Sequence, residues 1–172
     1  LMHYLGNPEK ELDIIMIGGT NAKGSTCFSL NSTLTRAGIK TGCFTSPHLH
    51  SVRERILLGE KLIPIEELHA CLSKIKEITT EFQIKPTYFE VLTATAYHYF
   101  NSKNVDYAIM EIGLGGEWDA VNIGQARIAI LTTLGLDHEE YLGKTLESIA
   151  ITKSRIVKDK TVVITGWPKE YH

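Results

Sequence analysis

The chain has 172 residues, 43% of them apolar and 22% charged, a composition typical of a soluble globular domain and not of disordered, fibrous or membrane proteins. Its 18 basic and 20 acidic side chains give a formal net charge of -2, so no global positive field exists to hold nucleic acid or an anionic membrane. Because no apolar stretch approaches the roughly 20 residues that span a bilayer, and because Cys27, Cys43 and Cys71 form no C-x-x-C pair, we expect a single cytoplasmic domain without a membrane span, disulfide framework or zinc knuckle.

The first half of the chain is predicted to alternate strands with helices. An apolar, β-branched run at residues 12–17 ends in Gly18-Gly19, as a buried parallel strand does. A helix is expected at 25–37, where apolar side chains recur at three- and four-residue steps before Gly38. The next predicted elements are a short strand, a small hairpin and a helix, at residues 41–45, 55–63 and 64–82.

The second half continues the same alternation. Its predicted elements are a helix, two strands, a helix and a final strand, at residues 88–100, 105–112, 128–132, 145–157 and 161–165. Repeated β-loop-α units predict an α/β fold, with a mostly parallel sheet and helices on both faces. Ligands of such sheets bind at the carboxyl ends of the strands, where the glycine-rich and polar motifs of this chain fall.

A glycine-rich loop joins the first predicted strand to the first predicted helix. In this context backbone N–H groups and the helix dipole cradle phosphate, a lysine neutralises it, and a hydroxyl holds Mg²⁺. The loop consists of Gly19, Thr20, Asn21, Ala22, Lys23, Gly24, Ser25 and Thr26. It differs from a standard Walker A loop because Ala22 precedes the lysine and Gly24 follows it. The alternative is a glycine-rich turn whose lysine is merely solvated.

Polar side chains follow three other predicted strands. Ser46 ends one strand, Glu111 ends another just before a run of glycines, and Asp137-His138 follow a third. Carboxylate and hydroxyl oxygens suit Mg²⁺ that is shared with a nucleotide's phosphates. None of these residues is specific alone: a Glu at a strand end is usually a solvated rim residue, and Asp-His there is more often a helix cap than catalytic. Their order along one α/β sheet, together with the phosphate loop, favours a nucleotide site.

The order of these motifs resembles that of the folylpolyglutamate synthase and dihydrofolate synthase family, a branch of the ATP-dependent Mur ligases. The shared strings span nearly the whole chain: G-T-N-A-K-G-S-T (19–26), T-S-P-H-L (45–49), E-R-I (54–56), T-Y-F-E (87–90), E-I-G-L-G-G (111–116), L-D-H (136–138) and Y-L-G (141–143). The resemblance implies the P-loop NTPase-like fold of the Mur ligase central domain. It also implies that residues 1–172 are part of an N-terminal ATP-binding domain, and that the family's C-terminal, Rossmann-like, glutamate-binding domain has no counterpart in this sequence.

The resemblance further implies an ATP-dependent ligase with ATP and Mg²⁺ as cofactors. In that family, a folate or pteroate carboxylate takes the γ-phosphoryl group of ATP, and the amine of glutamate then attacks the acyl phosphate to form an amide. The implied partners are therefore folate or dihydropteroate and L-glutamate. We expect a monomer.

The motif match assigns roles to individual residues. The implied catalytic residues are Lys23, which counters the phosphoryl charge, His138, and Lys153, which matches a lysine that is carbamylated in the family. The implied Mg²⁺ ligands are Ser46, Glu111 and His138. The implied substrate contacts are Thr87, Tyr88, Phe89, Glu90 and Asp119.

Three departures from the family strings bear on this interpretation. The family's G-G-R-L-D-A-T-N is G-G-E-W-D-A-V-N at residues 115–122, so Glu117 places a negative charge where the family has a cation. Ala22 adds a Cβ where the loop needs a positive φ, and T-K-S-R at residues 152–155 replaces E-K-A-G. Two alternatives therefore stay open: a degenerate nucleotide-binding module without ligase activity, and another Mur-type amino-acid ligase.

Overall fold

One mixed sheet forms the centre of the computed structural model, which describes residues 1–171. Over these residues its strands are β1 (Ile14–Gly18), β2 (Thr41–Phe44), β3 (Ile56–Leu58), β4 (Lys61–Leu62), β5 (Tyr107–Glu111), β6 (Ala126–Leu131) and β7 (Val162–Thr165). Their order is β4-β3-β2-β5-β1-β6-β7. Neighbouring strands pair in parallel along the series β2, β5, β1, β6 and β7. In the described part of the chain, the β2–β3 and β3–β4 pairs are antiparallel. The predicted mostly parallel α/β sheet is confirmed.

The helices of the described residues are α1 (Lys23–Arg36), α2 (Ile65–Glu81), α3 (Tyr88–Ser102), α4 (Glu139–Leu142) and α5 (Leu146–Ser154). Helix α1 begins two residues before its predicted start, because the backbone turns at Ala22 and Lys23 is already helical. Helix α5 ends three residues before its predicted end, and the single turn of α4 was not predicted. None of the helices described here is long and apolar enough to cross a membrane.

Alternate side chains of the strands point to opposite faces of the sheet and form two separate cores. On one face, Ile15 and Ile17 of β1 pack with Cys27 of α1 in a small cluster. On the other face, Ile14 and Met16 belong to a larger cluster. That cluster includes residues of α2, α3 and α5. Both faces of the sheet are thus covered by helices, as the unbroken apolar run of β1 predicts for a parallel strand buried on both sides.

The cysteines are free thiols in these cores. Cys27, Cys43 and Cys71 are all buried, and none takes part in a disulfide. Cys27 and Cys43 lie in the small cluster beneath α1 and contact each other through a hydrogen bond, so this contact first, and burial second, raise the pKa of the Cys27 thiol. The Cys27 thiol therefore acts as a small apolar residue of the core.

Candidate active site

The carboxyl ends of four adjacent strands meet at one edge of the sheet. Strand β1 leads into the glycine-rich loop, β2 into Ser46, β5 ends at Glu111, and β6 leads into Thr132 and Thr133. Since β2, β5, β1 and β6 are neighbours and parallel, these ends lie side by side. The sheet therefore assembles most of the sequence-predicted site at one edge, as parallel sheets do for their ligands.

The glycine-rich loop has the backbone that a phosphate cradle requires. Gly19 has φ +136°, and a Cβ there would lie 2.0 Å from the Thr132 hydroxyl, so only glycine fits. Ala22 adopts the left-handed region at φ +64° and offers no side-chain cap to α1. The first bond of the helix runs from the Thr26 N–H to the Ala22 carbonyl, at 2.9 Å. The N–H groups that precede this bond at the positive end of α1 are placed to meet an anion.

The end of β6 holds the glycine-rich loop in place. The Thr20 N–H donates to the Thr133 carbonyl at 2.8 Å, and the Asn21 N–H donates to the Thr133 hydroxyl at 2.9 Å. The Thr132 hydroxyl in turn donates to the Asn21 carbonyl at 2.7 Å. The sequence analysis missed both threonines. The rule that identified Glu111, a polar residue at the end of a parallel strand, would also have identified them.

Two lysine side chains converge on the carbonyl oxygen of Gly19. Lys23 Nζ lies 3.2 Å from it and 3.2 Å from the Thr20 carbonyl oxygen, and Lys153 Nζ lies 3.1 Å from the same Gly19 oxygen. Lys153 is 3% exposed. Burial first, and the charge of Lys23 second, lower the pKa of Lys153 to about 8, against the opposing effect of Asp137. A large fraction of Lys153 is therefore a neutral amine near pH 8, which is unusual for a lysine.

Glu111 is a buried carboxylate beside Ser46. It is 3% exposed, and its Oε2 accepts a hydrogen bond of 2.8 Å from the Ser46 N–H. Burial raises the pKa of Glu111, while the Ser46 N–H and the charges of Lys23 and Arg55 oppose the rise. A Cβ at Gly24 would lie 3.6 Å from Glu111 Oε1, so the start of α1 approaches this carboxylate closely. Arg55 was not among the predicted site residues.

His138, the third predicted Mg²⁺ ligand, contacts Asp137. It has φ +51° just before α4, and its Nε2 lies 3.6 Å from Asp137 Oδ2, with both side chains about half exposed. Within residues 1–171, no hydrogen bond or ion pair joins His138 to Ser46 or Glu111. The same residues contain no cluster of three or more His, Cys, Asp or Glu side chains suited to a metal. The protein alone thus brings together two of the three predicted Mg²⁺ ligands.

The predicted substrate segment begins α3, and two of its residues cap that helix. Glu90 Oε2 accepts hydrogen bonds from the Thr87 N–H at 2.6 Å and the Thr87 hydroxyl at 2.8 Å, while the Glu90 N–H donates back to Thr87 Oγ1 at 3.3 Å. This reciprocal capping box is the structural reason for a threonine and a glutamate at that spacing. Tyr88 is 61% exposed, with Arg55 over its ring at 5.9 Å.

Phe89 and Asp119 shape the glycine run that follows Glu111. A Cβ at Gly113 would lie 2.7 Å from the Phe89 ring, so glycine is needed for this approach. Asp119 Oδ2 accepts from the Leu114 N–H at 2.7 Å, and its Oδ1 accepts from the Val121 N–H at 2.9 Å. Burial raises the pKa of Asp119, and these N–H groups and the charge of Lys23 oppose the rise. Asp119 therefore orders the loop at residues 113–118.

A cavity of about 550 Å³ opens beside this loop. Four of the five predicted substrate contacts line it: Thr87, Phe89, Glu90 and Asp119. Trp118, Tyr141 and Leu142 also line it. The sequence analysis quoted them within motif strings but predicted no substrate contact for them. Glu117, which places a negative charge where the resembled family has a cation, also lines the cavity. Its Oε1 lies 3.8 Å from Arg155 Nε, so its charge faces a cation.

Known proteins match this sequence over most of its length. Residues 17–166 match the family described as the Mur ligase middle domain. The probable dihydrofolate synthetase of Schizosaccharomyces pombe is 39% identical over 159 residues, which cover 92% of this chain and 38% of that protein.

Two similar solved structures hold ligands. The structure of Escherichia coli FolC in complex with DHPP and ADP is 36% identical with a TM-score of 0.91, over 97% of this chain and 40% of that one. An FPGS–AMPPCP–folate complex is 32% identical with a TM-score of 0.91, over 99% of this chain and 43% of that one. The chain thus spans about two-fifths of the length of the relatives that it matches.

Proposed function

Because this chain belongs to the Mur ligase middle domain family, we propose that it binds Mg²⁺ and ATP for the ligation of L-glutamate to folate or dihydropteroate. The observation that carries the proposal is the single sheet edge where the phosphate loop, Lys23 and the Ser46–Glu111 pair meet. The cavity of about 550 Å³ that the loop after Glu111 lines supports the substrate class. Further support comes from the similar structures that hold ADP with DHPP, or AMPPCP with folate.

The proposed reaction has two steps. The substrate carboxylate attacks the γ-phosphorus of ATP, which forms an acyl phosphate and releases ADP. The amine of L-glutamate then attacks the acyl carbon, which forms the amide and releases phosphate and a proton. Neither step needs a protein nucleophile, so the protein's contribution is charge neutralisation and alignment.

The glycine-rich loop would hold the phosphates. The N–H groups at the start of α1 would donate to phosphate oxygens, since no side chain caps that end of the helix. Lys23 Nζ would exchange the carbonyl oxygens of Gly19 and Thr20 for phosphate oxygens and counter their charge. A lysine that bonds only to carbonyls keeps its full charge available for this exchange.

The residues beside the loop fit Mg²⁺. The hydroxyl of Ser46 and the carboxylate of Glu111 are hard oxygen donors on adjacent strand ends, and burial leaves the Glu111 charge poorly solvated. Ser46 and Glu111 would hold the ion, with His138 as a third ligand. When bound, Mg²⁺ supplies positive charge to the transferring phosphoryl group. A ligand set this small suits an ion that shares its coordination with phosphates and water.

Lys153 is proposed to be carbamylated. Its low pKa leaves a neutral amine that can attack CO₂ and lose a proton, which converts a cation into a carboxylate-like anion. The amine lies 3.1 Å from the Gly19 carbonyl, so the new anion would form beside the phosphate loop. The alternative is a structural lysine that only braces the loop, and the mass of the intact protein in bicarbonate distinguishes the two.

Calorimetric titration tests the proposed function. The 172-residue chain is titrated with AMPPCP in Mg²⁺, then with pteroic acid, and product formation is followed with labelled glutamate, dihydropteroate and ATP. We expect the nucleotide and pteroic acid to bind the same chain. A folded chain without nucleotide affinity would contradict the proposal. Nucleotide binding without pteroic acid binding would favour another amino-acid ligase or a nucleotide-binding module.

A further inference from the structure

Trp118 is the most exposed large apolar side chain of the described residues. It is 90% exposed although it lines the cavity beside the glycine run, and Tyr141 on the same cavity wall is 75% exposed. Exposed aromatic side chains grouped around a concave site are typical of ligand contacts, because burying an apolar ring against a ligand is more favourable than leaving it in water. Both exposed rings line a cavity that Phe89 also lines.

The charged groups of this cavity are already occupied by the protein. Glu90 accepts hydrogen bonds from Thr87, and Asp119 accepts them from Leu114 and Val121. Glu117 faces Arg155. The remaining capacity of the cavity to bind a ligand is therefore mainly apolar and aromatic. A flat ring fits that capacity better than a carboxylate or a phosphate does.

The cavity adjoins the phosphate site. Asp119, which lines the cavity, lies close enough to Lys23 for the lysine charge to lower its pKa against the effect of burial. Gly113 begins the loop two residues after Glu111. A substrate with a carboxylate at one end and rings at the other could therefore place the carboxylate near Lys23 and a ring near Trp118. Lys23 is not among the residues that line the cavity, so the cationic group and the two exposed rings occupy separate positions.

We propose that Trp118 determines substrate specificity by stacking on the flat ring system of a pteroate-type substrate, with Tyr141 on the same wall of the cavity. The inference rests on the proposed function, because it assumes that this cavity receives the ring end of the substrate. It is particular to this chain: the resembled family string has leucine where this sequence has Trp118. Stacking on an exposed indole gives affinity without using any hydrogen-bonding group of the ligand. A leucine has no aromatic face and cannot stack in this way.

Three variants test this role: Trp118→Leu, Trp118→Phe and, as a matched control, Trp167→Phe. The chain has two tryptophans, and Trp167 is only 6% exposed and lines a different cavity. Pteroic acid is titrated by calorimetry with AMPPCP and Mg²⁺ present, and tryptophan fluorescence is followed in parallel. We expect Trp118→Leu to weaken pteroic acid binding about tenfold, and Trp118→Phe to stay within about threefold of the original chain. Binding should quench Trp118 fluorescence in Trp167→Phe.

The outcomes separate the inference from the proposed function. Equal pteroic acid affinity in Trp118→Leu and the original chain would overturn the stacking role, while binding by both would leave the proposed function standing. Absence of pteroic acid binding by the original chain would overturn both. Unchanged AMPPCP affinity in Trp118→Leu is expected, and a parallel loss would indicate a structural effect and overturn the stacking role. Titration with pterin-6-carboxylate and with 4-aminobenzoate identifies the ring, since only the stacked ring should lose affinity in Trp118→Leu.

Discussion

Both hydrogen bonds that Lys23 Nζ makes go to backbone carbonyl oxygens of the glycine-rich loop. We expect Lys23→Ala to weaken AMPPCP binding about tenfold to a hundredfold, since a hydrogen bond from a charged donor is worth about 1.5 to 3 kcal/mol. The fold should persist because the side chain is only partly buried. Calorimetry measures the affinity, and Lys61→Ala on the exposed hairpin is the control. Equal affinity in the two variants would remove Lys23 from the site.

Glu111 should serve the metal more than the fold. Glu111→Gln keeps an oxygen that can accept from the Ser46 N–H, but it removes the charge that attracts Mg²⁺. We expect AMPPCP affinity to fall in Mg²⁺ and to stay unchanged in EDTA. Because burial penalises the ionised form of Glu111, the melting temperature of Glu111→Gln should equal or exceed that of the original chain. Equal losses with and without Mg²⁺ would show that Glu111 contributes only to the shape of the site.

Ala22 is an alanine in a conformation that favours glycine. At φ +64°, its Cβ costs about 1 to 2 kcal/mol, which the greater unfolded-state freedom of glycine partly offsets. We therefore expect Ala22→Gly to raise stability by about 0.5 to 1 kcal/mol, or a few degrees of melting temperature. Ala70→Gly, in the middle of α2, should have the opposite effect. A melting temperature that falls in both variants would contradict the argument.

At the scale of elements, the start of α3 combines two functions that mutation can separate. Thr87 and Glu90 cap the helix, while the same residues line the proposed substrate cavity. Thr87→Ala should cost about 1 kcal/mol of stability through loss of the cap, whereas Thr87→Ser should cost little. Thermal unfolding measures the cost, and pteroic acid titration measures any additional loss of binding. If Thr87→Ala left the melting temperature unchanged, the capping role would be refuted.

At the scale of the whole molecule, acid stability should depend on His98. Burial, with the charge of Lys74 as a smaller cause, lowers the pKa of His98 below 6.5. The unfolded chain then takes up a proton first as the pH falls, so the His98 contribution is complete above about pH 6.5 and is lost below it. The raised pKa values of Glu111 and Asp119 act in the opposite sense, since protonation of these buried groups favours the fold.

Denaturant unfolding between pH 7.5 and 5.5 measures this dependence. We expect His98→Gln to flatten the decline of the unfolding free energy with falling pH. His69→Gln, on the exposed side of α2, should keep the decline. Equal slopes in the two variants would show that another group controls the profile.

The sequence by itself determined the order of elements, and it predicted a nucleotide-binding loop. Apolar runs, apolar periods and the turn residues between them located every strand and the longer helices, because the geometry of a strand or helix determines which positions of a local segment are buried. The spacing in residues 19–26 predicted the phosphate loop, since a strand, a turn and a helix start are contiguous in the chain. Glu111 was identified in the same way, as a carboxylate at a strand end.

Only the tertiary structure decided which distant residues meet. Thr132 and Thr133 hold the glycine-rich loop because β6 lies beside β1. The burial of Lys153 against Gly19 depends on how α5 packs, and the exposure of Trp118 depends on a loop that Asp119 orders. These properties result from contacts between segments more than 100 residues apart, or from solvent exposure, and neither is encoded in a local period. Local patterns therefore predicted a kind of site and its candidate residues, and packing decided which of these residues lie together.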